Sequence, residues 1–491
     1  MNQPIQSVVS RPMSLGLILG PLIALSMYWL LPTSIPPTAR TTASVGVLMA
    51  VFWVTEAIPV AATALIPLAL FPTLGVSEIS SVCAPFAKPV VFLFLGGFML
   101  AMAVERCGLH RRLALAILRL VGGSPRGLLA GFMGATAFLS MWISNTATTV
   151  MMVPIATSLI TMFPQEQRES KDIARFERFL LLAIAYSASI GGIGTLVGTP
   201  PNALLIGFLQ EQGIEIGFGR WMLFAIPLVL LFLAILWVFF GTRLQSSVRT
   251  LSISNELIDE RYRELGPITR AEKTVFAVFV MTALLWILRE PLANWYWLVR
   301  LCPAVARLND ATIAIASAIT LFLFPVNKAG EKALDWESAQ RLPWGVLILF
   351  GGGLSLAASM NATGLNSALA DQLRGFTALS PFVLTLVVTG IVIFMTELTS
   401  NLATIAGLLP VLFGLGTQLP SGPLPVVIAA TVAASCAFML PVATAPNAVV
   451  FSTERVSTAS MMKNGLLLNL TGIVLITVMM QLFGQFVFGA S

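Results

Sequence analysis

The chain has 491 residues, of which 57% are hydrophobic and only 10% are charged. Its mean hydropathy of +0.90 is far too high for a soluble domain of this length, so the composition predicts a protein that lies in a bilayer. The formal charge of +6 comes from basic residues that are scattered between apolar stretches and mixed with acids. Without a continuous basic face, this pattern argues against nucleic acid as a partner.

Charge-free runs indicate how many helices cross the membrane. A helix needs about 20 apolar residues to span the hydrocarbon core, and several runs are long enough to cross twice. The runs cover residues 12–39, 57–77, 127–165, 179–210, 221–242, 342–370, 398–453 and 464–491. Because polar motifs interrupt some of them, we expect an all-α polytopic membrane protein with about 11 transmembrane helices and two re-entrant hairpins.

The first apolar segment is predicted to be a membrane helix. It extends from Met13 to Leu31 after Arg11, and no small-residue cleavage site follows it, as a signal peptide would require. The next apolar segment is interrupted at Glu56, close to Pro59. An ionisable group near membrane depth is a functional candidate with a partner to be found. The alternative is a structural carboxylate that accepts hydrogen bonds from freed backbone N–H groups or lies at the interface.

The polar motif Ser-Asn-x-Ala-Thr occurs at residues 144–148 and again at residues 400–404. The offset, 400 minus 144, is 256 residues, and the same offset relates Gly96-Gly97 to Gly352-Gly353. The chain therefore contains an internal duplication. Small residues allow helices to approach closely, so we interpret the glycine pairs as packing positions.

The first copy of the motif lies near the middle of residues 127–165, a run long enough to enter the membrane and return as two half-length helices. A tip at this depth leaves helix ends without partners, and serine, asparagine and threonine are side chains that cap helix N-termini. Unwound backbone at membrane depth is tolerated only where it is buried or lines a cavity. The motif therefore predicts a hairpin tip, and residues 396–401 take the same place in the second half.

A second polar break follows in each half. Gly-Thr-Pro-Pro-Asn occupies residues 198–202 and Ala-Thr-Ala-Pro-Asn residues 443–447, an offset of 443 minus 198, or 245. Proline frees carbonyl groups upstream of it, and these oxygens, with those of Ser, Thr and Asn, are hard, neutral ligands suited to an alkali cation. Helix kinks and caps without a ligand explain any one motif. Four motifs in two matched pairs favour a secondary transporter with a binding site near the membrane midplane.

The longest polar segment, residues 241–273, is interpreted as a solvated connector at the membrane surface. The positive-inside tendency places it, with Arg11, on the cytoplasmic side. The only histidine, His110, lies in a basic run just after a predicted span, and a metal site built on one histidine is not expected. The cysteines share no metal-ligand or redox spacing and are expected to be apolar fillers or free thiols. They are Cys83, Cys107, Cys302 and Cys436.

Together, the two Ser-Asn motifs and the two Pro-Asn motifs resemble the signature of the divalent anion/sodium symporter family, the INDY-like carriers of dicarboxylates and citrate. The resemblance covers nearly the whole chain, including residues 53–59. It implies a multi-pass protein of the cell (inner or plasma) membrane that forms a homodimer. In such a dimer a fixed scaffold domain supports a transport domain that moves like an elevator, and sodium is the co-transported ion.

Carried over residue by residue, the resemblance implies two sodium sites and one substrate site. The first sodium site is expected to use Ser140, Ser144, Asn145 and the Gly198 carbonyl. The second sodium site is expected to use Thr396, Thr399, Asn401 and the Ala443 carbonyl. Substrate carboxylates are expected to meet Ser144, Asn145 and Thr146 on one side, and Ser400, Asn401 and Thr444 on the other.

The second half departs from the pattern at two positions. Leu402 stands where the first half has Thr146, and Ala445 stands where the first half has Pro200. Leu402 removes one hydroxyl, so we expect a drier half-site that favours small C4-dicarboxylates over citrate.

The same resemblance divides the chain into five parts. Residues 1–126 and 273–374 are expected to be the scaffold helices of repeats 1 and 2. Residues 127–242 and 375–491 are expected to be the transport-domain parts, each with a hairpin, a broken helix and a following helix. Residues 243–272 are the expected cytoplasmic connector.

Charge balance favours sodium as the coupling ion. A dicarboxylate brings about two negative charges, yet residues 127–165, 179–210 and 375–454 contain no Lys, Arg or His. Helix N-termini supply only about half an elementary charge each, so bound cations are the simplest compensation. This balance favours symport with sodium, and the resemblance implies import of succinate, malate or fumarate by an elevator mechanism.

Other functions make different demands. A sodium-independent exchanger of citrate, tartrate or a similar acid is the alternative within transport, and a passive channel would not concentrate its substrate. An intramembrane hydrolase would need a nucleophile with an activating base. Ser144 and Ser400 have no histidine close in sequence, so no enzymatic activity is expected.

Overall fold

The computed structural model describes residues 11–121, 124–161, 170–244, 256–327, 330–372 and 380–489. Within these ranges the chain is helical, and its only β-type pairing is an isolated bridge between Pro325 and Lys332. Five helices of the described chain are long and apolar enough to cross a membrane, and six further apolar helices have 10–17 residues. The predicted all-α architecture is confirmed.

The first half contains twelve described α-helices. They are α1 (Arg11–Leu30), α2 (Pro37–Thr55), α3 (Val60–Thr63), α4 (Ile66–Thr73), α5 (Ile79–Cys83), α6 (Pro89–Arg106), α7 (Leu109–Val121), α8 (Pro125–Ser140), α9 (Asn145–Thr161), α10 (Lys171–Gly192), α11 (Pro200–Glu211) and α12 (Phe218–Arg243).

The connector and the second half contain the remaining described α-helices. They are α13 (Glu256–Glu264), α14 (Arg270–Ala293), α15 (Tyr296–Leu301), α16 (Asp310–Leu323), α17 (Trp336–Ala339), α18 (Trp344–Ala362), α19 (Leu365–Gln372), α20 (Pro381–Thr396), α21 (Asn401–Gly416), α22 (Leu424–Ala434), α23 (Ala445–Phe451), α24 (Thr458–Met479) and α25 (Gln485–Phe488).

Repeat-related helices begin at equivalent residues because the same local signals start them. Helices α8 and α20 each begin at a proline, which suits the first helical turn since no N–H is needed there. Each proline follows a serine cap: Ser124 accepts a hydrogen bond from Gly127 N and Ser380 from Val383 N. Both helices end five residues before the asparagine that begins the returning helix, so each predicted hairpin is present.

The glycine pairs serve close packing, as predicted. A Cβ atom on Gly96 would lie 2.5 Å from the backbone carbonyl carbon of Ala314, and a Cβ on Gly352 would lie 2.2 Å from the carbonyl oxygen of Ala64. Real Cβ atoms do not approach backbone this closely. Only glycine therefore permits α6 to pack against α16, and α18 against the α3–α4 turn.

Glu56 lies at a helix end. It is exposed and adopts a left-handed backbone conformation with φ of 47°, just after the last residue of α2. Nearby, Trp53 Nε1 donates a hydrogen bond to the carbonyl oxygen of Val60 across the turn. Glu56 thus lies at the helix break that follows α2, which is the position that the structural alternative assumed.

The described part of the connector is held against α7. Arg119 forms an ion pair with Asp259 of α13 at 2.6 Å, and the buried Arg112 forms one with Glu272 at 2.7 Å. Residues 245–255, which the predicted connector also includes, lie outside the described residues. The connector is therefore packed on a helix of the first repeat, as well as being solvated.

The histidine and cysteines are placed as follows. His110 Nδ1 lies 3.1 Å from the Val104 carbonyl oxygen, and burial lowers the pKa of its imidazole. All four cysteines are free thiols: two are exposed, one is half-buried and one is buried. They are Cys83, Cys302, Cys107 and Cys436, in that order.

Candidate functional site

The tip of the first hairpin gathers oxygen atoms around Asn145. The Ser140 hydroxyl lies 2.5 Å from Asn145 Oδ1 and 2.7 Å from the Ala188 carbonyl oxygen. A Cβ on Gly192 would lie 2.7 Å from Asn145 Oδ1 and 3.2 Å from the Gly198 carbonyl oxygen. The structure therefore brings together the oxygens of Ser140, Asn145 and Gly198, which the sequence predicted to share a site.

The tip of the second hairpin repeats this arrangement. The Thr396 hydroxyl lies 2.7 Å from Asn401 Oδ1 and 3.0 Å from the Ala434 carbonyl oxygen. The hydroxyl of Thr399 is directed elsewhere, to the Met395 carbonyl oxygen and to Thr404 within the same hairpin. Thr396 and Asn401 thus form the predicted pair, and the Thr399 side chain does not join it.

Each broken helix is bridged by an asparagine. The gap between α10 and α11 is held by Asn202, whose Nδ2 donates to the Thr195 carbonyl oxygen at 2.8 Å. The gap between α22 and α23 is held by Asn447, whose Nδ2 donates to the Leu440 carbonyl oxygen at 3.0 Å. Both asparagines are buried. They satisfy carbonyl groups that the helix breaks leave without partners.

The two halves meet at these breaks. Thr199 Oγ1 and Ser435 Oγ, from the two broken helices, lie 3.5 Å apart. Helix α9 of the first hairpin packs against α23 of the second half, and α11 packs against α21 and α22. The two broken helices therefore lie against each other, and each hairpin packs on the broken helix of the other half.

Several predicted substrate residues are accessible and act as helix caps. Ser144 and Thr146 are exposed, and the Ser144 hydroxyl accepts a hydrogen bond from Ala147 N. Ser400, Asn145, Asn401 and Thr444 are half-buried. The Thr444 hydroxyl accepts a hydrogen bond from Asn447 N at 3.3 Å. The expected capping is thus present at Ser144 and Thr444, whereas their repeat mates Ser400 and Thr199 make no side-chain cap hydrogen bond.

Leu402 differs from its repeat mate in burial. It is only 7% exposed, whereas Thr146 is exposed. The expectation that Leu402 dries the open half-site therefore requires correction, since its side chain belongs to the packed core. The side chain points into the core because leucine gains free energy when it leaves water.

Glu397 is a site residue that the sequence reasoning missed. Its carboxylate is 3% exposed and accepts hydrogen bonds from the backbone N–H groups of Phe438, Met439 and Leu440 at 2.7, 2.8 and 2.9 Å. Asn469 Nδ2 donates a fourth at 2.8 Å. A signal was available, because Glu397 is the only charged residue between Arg374 and Glu454.

A cavity of about 830 Å³ lies beside the first hairpin. Its wall includes Ile143, Ala147 and Thr148 of the hairpin, and charged groups of α7 and α13 such as Arg111 and Arg261. None of the predicted sodium ligands lines it. It separates part of the hairpin from α7 and α13, on the side of the connector.

Known proteins resemble this chain along most of its length. The family described as "Sodium:sulfate symporter transmembrane region" matches residues 14–490. The sodium-dependent dicarboxylate transporter SdcS of Staphylococcus saprophyticus is 42% identical over 470 residues, which is 94% of this chain and 89% of that protein. SdcS of Staphylococcus aureus strain MRSA252 is 39% identical over 483 residues, covering 97% and 92%.

Two solved structures share the fold. The YdaH transporter of Alcanivorax borkumensis has a TM-score of 0.61 at 16% identity, covering 96% of this chain and 99% of that one. MtrF of Neisseria gonorrhoeae, described among antimetabolite efflux pumps, has a TM-score of 0.59 at 15% identity, covering 97% and 96%. At this identity the likeness concerns the fold alone.

Proposed function

The chain belongs to the sodium:sulfate symporter family, and we propose that it imports C4-dicarboxylates such as succinate, malate and fumarate together with sodium. It is a multi-pass protein of the cell membrane, and we assign it transport without enzymatic activity. Relatives named sodium-dependent dicarboxylate transporters align over nearly the whole chain. The observation that carries the proposal is the pair of repeat-related oxygen clusters around Asn145 and Asn401.

We assign one sodium ion to each cluster. Neutral hydroxyl, amide and carbonyl oxygens are hard ligands, which suit sodium and offer little to soft metals. The first site uses Ser140, Ser144, Asn145 and the Gly198 carbonyl. The second uses Thr396, Asn401, the Ala443 carbonyl and Thr399, whose hydroxyl is engaged within its hairpin, so that only its backbone oxygen is assigned to the ion.

The substrate carboxylates would bind between the hairpin tips, at Ser144, Asn145 and Thr146 on one side and at Ser400, Asn401 and Thr444 on the other. Helices α9, α21 and α11 all begin at this site, and the positive ends of their dipoles favour anions. Glu397 adds a negative charge next to the second tip. A dianion therefore needs bound cations here, which supports symport with sodium.

Transport further requires the site to face each side of the membrane in turn. We propose that residues 127–242 and 375–491 move as a transport domain against scaffold helices from residues 1–126 and 273–374, in a homodimer. The first hairpin supports this division, because its tip packs on the proposed scaffold. Trp142 contacts Phe279 and Trp286 of α14, with ring centroids 5.1 and 6.5 Å apart.

In the second half, the side chains that are the repeat mates of these contact residues are exposed. Leu398, the mate of Trp142, is 77% exposed. Val197 packs on Gly97 of α6, but its mate Val442 is 84% exposed. We propose that sliding of the transport domain frees Trp142 and Val197 and docks Leu398 and Val442 on the scaffold.

Uptake of radiolabelled succinate into proteoliposomes tests this function. An inward sodium gradient should drive concentrative uptake that rises sigmoidally with sodium concentration, and choline should not replace sodium. Full-rate accumulation in sodium-free choline medium with an internal counter-substrate would instead identify the exchanger. Uptake that never exceeds the external concentration would identify a channel.

A further inference from the structure

We propose that Glu397 is a positioning residue for the second sodium site: its buried negative charge makes this site the tighter of the two, and its hydrogen bonds hold the loop that carries the Ala443 carbonyl. This inference rests on the proposed sodium symport. It assigns different affinities to two sites that the duplication alone would make equal.

The oxygens of Glu397 face hydrogen-bond donors from two elements. All four groups that contact its oxygens are donors: three backbone N–H groups and the Asn469 amide. The carboxylate form satisfies all of them, and convergent N–H groups are what a buried anion requires.

Glu397 lies between the two elements that form the second site, the hairpin tip and the loop of the broken helix. The preceding residue, Thr396, contacts Asn401 Oδ1 and the Ala434 carbonyl oxygen. Glu397 itself holds residues 438–440, and Ala443 N in turn donates to the Leu440 carbonyl oxygen. The side chain therefore fixes the hairpin tip and the broken-helix loop relative to each other.

The first half has no counterpart to this charge. Met141 is the repeat mate of Glu397, and its carbonyl oxygen accepts a hydrogen bond from the Thr195 hydroxyl at 2.5 Å. Its side chain packs on Gly194, where an added Cβ would lie 3.0 Å from Met141 Cε. The first loop is thus held by neutral groups alone.

A nearby fixed charge changes cation affinity strongly. The Coulomb interaction falls only in proportion to distance, so at an effective dielectric constant of about 20 a unit charge on the residue next to Thr396 can alter the affinity for a cation there by about tenfold. The backbone N–H groups around Glu397 offset part of this attraction between the carboxylate and the cation. We therefore expect about a tenfold difference in sodium affinity between the sites.

The test compares Glu397→Gln with Met141→Gln, which leaves the two mates with the same neutral side chain. Sodium-dependent stabilisation against thermal unfolding is measured on the purified full chain without substrate, followed by the sodium dependence of succinate uptake. Glu397→Gln should raise the half-saturating sodium concentration about tenfold, and high sodium should restore uptake. Met141→Gln should change it less than about threefold. Asn469→Leu, which keeps the charge and loses one donor, should also stay within about threefold.

A purely structural role predicts something different: Glu397→Gln would lower maximal uptake at every sodium concentration, with no recovery at high sodium. That result, or an unchanged sodium dependence, overturns the inference. If Glu397→Gln does not fold, the variants Thr396→Ala and Ser140→Ala test which of the two sodium sites is tighter. Thr396→Ala should shift the low-concentration part of the sodium titration and Ser140→Ala the high-concentration part, and the reverse order rejects the proposal. A wild-type protein without any response to sodium would reject the proposed function itself.

Discussion

The two hairpins share a backbone and differ in chemistry. In each, the hydroxyl that ends the first helix contacts the asparagine that begins the second, at 2.5 Å for Ser140 and 2.7 Å for Thr396. One residue further along, the first hairpin has Met141 and the second has the buried Glu397. The two halves thus share the geometry of this hydroxyl and asparagine and differ by a charge in the second half.

The hairpins also differ in what covers their tips. Trp142 is packed against aromatic rings of α14, whereas Leu398 is exposed. The tip residue is thus half-buried in one half and exposed in the other. The proposed two-position mechanism would produce such an asymmetry if each tip met the scaffold in only one position.

The largest effect is expected at the two asparagines. Asn145→Asp and Asn401→Asp keep an oxygen for sodium but lose the N–H that a substrate carboxylate needs. Each should lower succinate uptake about a hundredfold or more. Asn401→Asp should also lower the melting temperature more than Asn145→Asp, because it adds a second negative charge close to Glu397. Near-normal uptake by either variant would remove the proposed site.

Loss of the Trp142 side chain should shift the resting position of the proposed transport domain. Trp142→Ala removes the ring contacts of a half-buried side chain. The loss should be smaller than the about 3–5 kcal/mol that truncation of a fully packed aromatic side chain costs, and it should favour the position in which Val442 is covered. In a background without native cysteines, Val442→Cys should react several-fold more slowly with a membrane-impermeant maleimide when Trp142→Ala is present. Leu398→Ala is the matched control and should not slow the reaction. Equal rates in all three proteins would contradict the docking comparison.

The hydroxyls beside the asparagines should have moderate effects. Ser140→Ala and Thr396→Ala each remove one neutral ligand oxygen, worth about 0.5–1.5 kcal/mol. Sodium activation of uptake should therefore require about two- to tenfold more sodium in either variant, with little change in thermal stability. If both variants leave sodium activation unchanged, these hydroxyls do not contact the ion.

The smallest effect on transport is expected at Leu402. Because its side chain is in the core, Leu402→Thr buries a hydroxyl and should lower the free energy of unfolding by about 1–3 kcal/mol. The ratio of malate to succinate affinity should stay within about twofold of wild type, measured by competition for uptake. A clear gain in affinity for malate relative to succinate would show that Leu402 does face the substrate.

The sequence by itself determined the membrane class, the duplication, the two hairpins and the positions of the helix breaks. Prolines, serine caps and asparagines act on backbone within a few residues of themselves, so Ser124-Pro125 and Ser380-Pro381 favour a helix start from the local sequence alone. The pairing of Ser140 with Asn145 also follows from the hairpin, since only five residues separate them.

Tertiary structure alone decided the role of Glu397, the burial of Leu402 and the docking of Trp142. The carboxylate of Glu397 meets Phe438 and Asn469, which are 41 and 72 residues away in the chain. Such contacts depend on how whole helices pack, and an identical local motif gives no indication of which neighbour it will meet. The sequence therefore located both halves of the site, and long-range packing made them unequal.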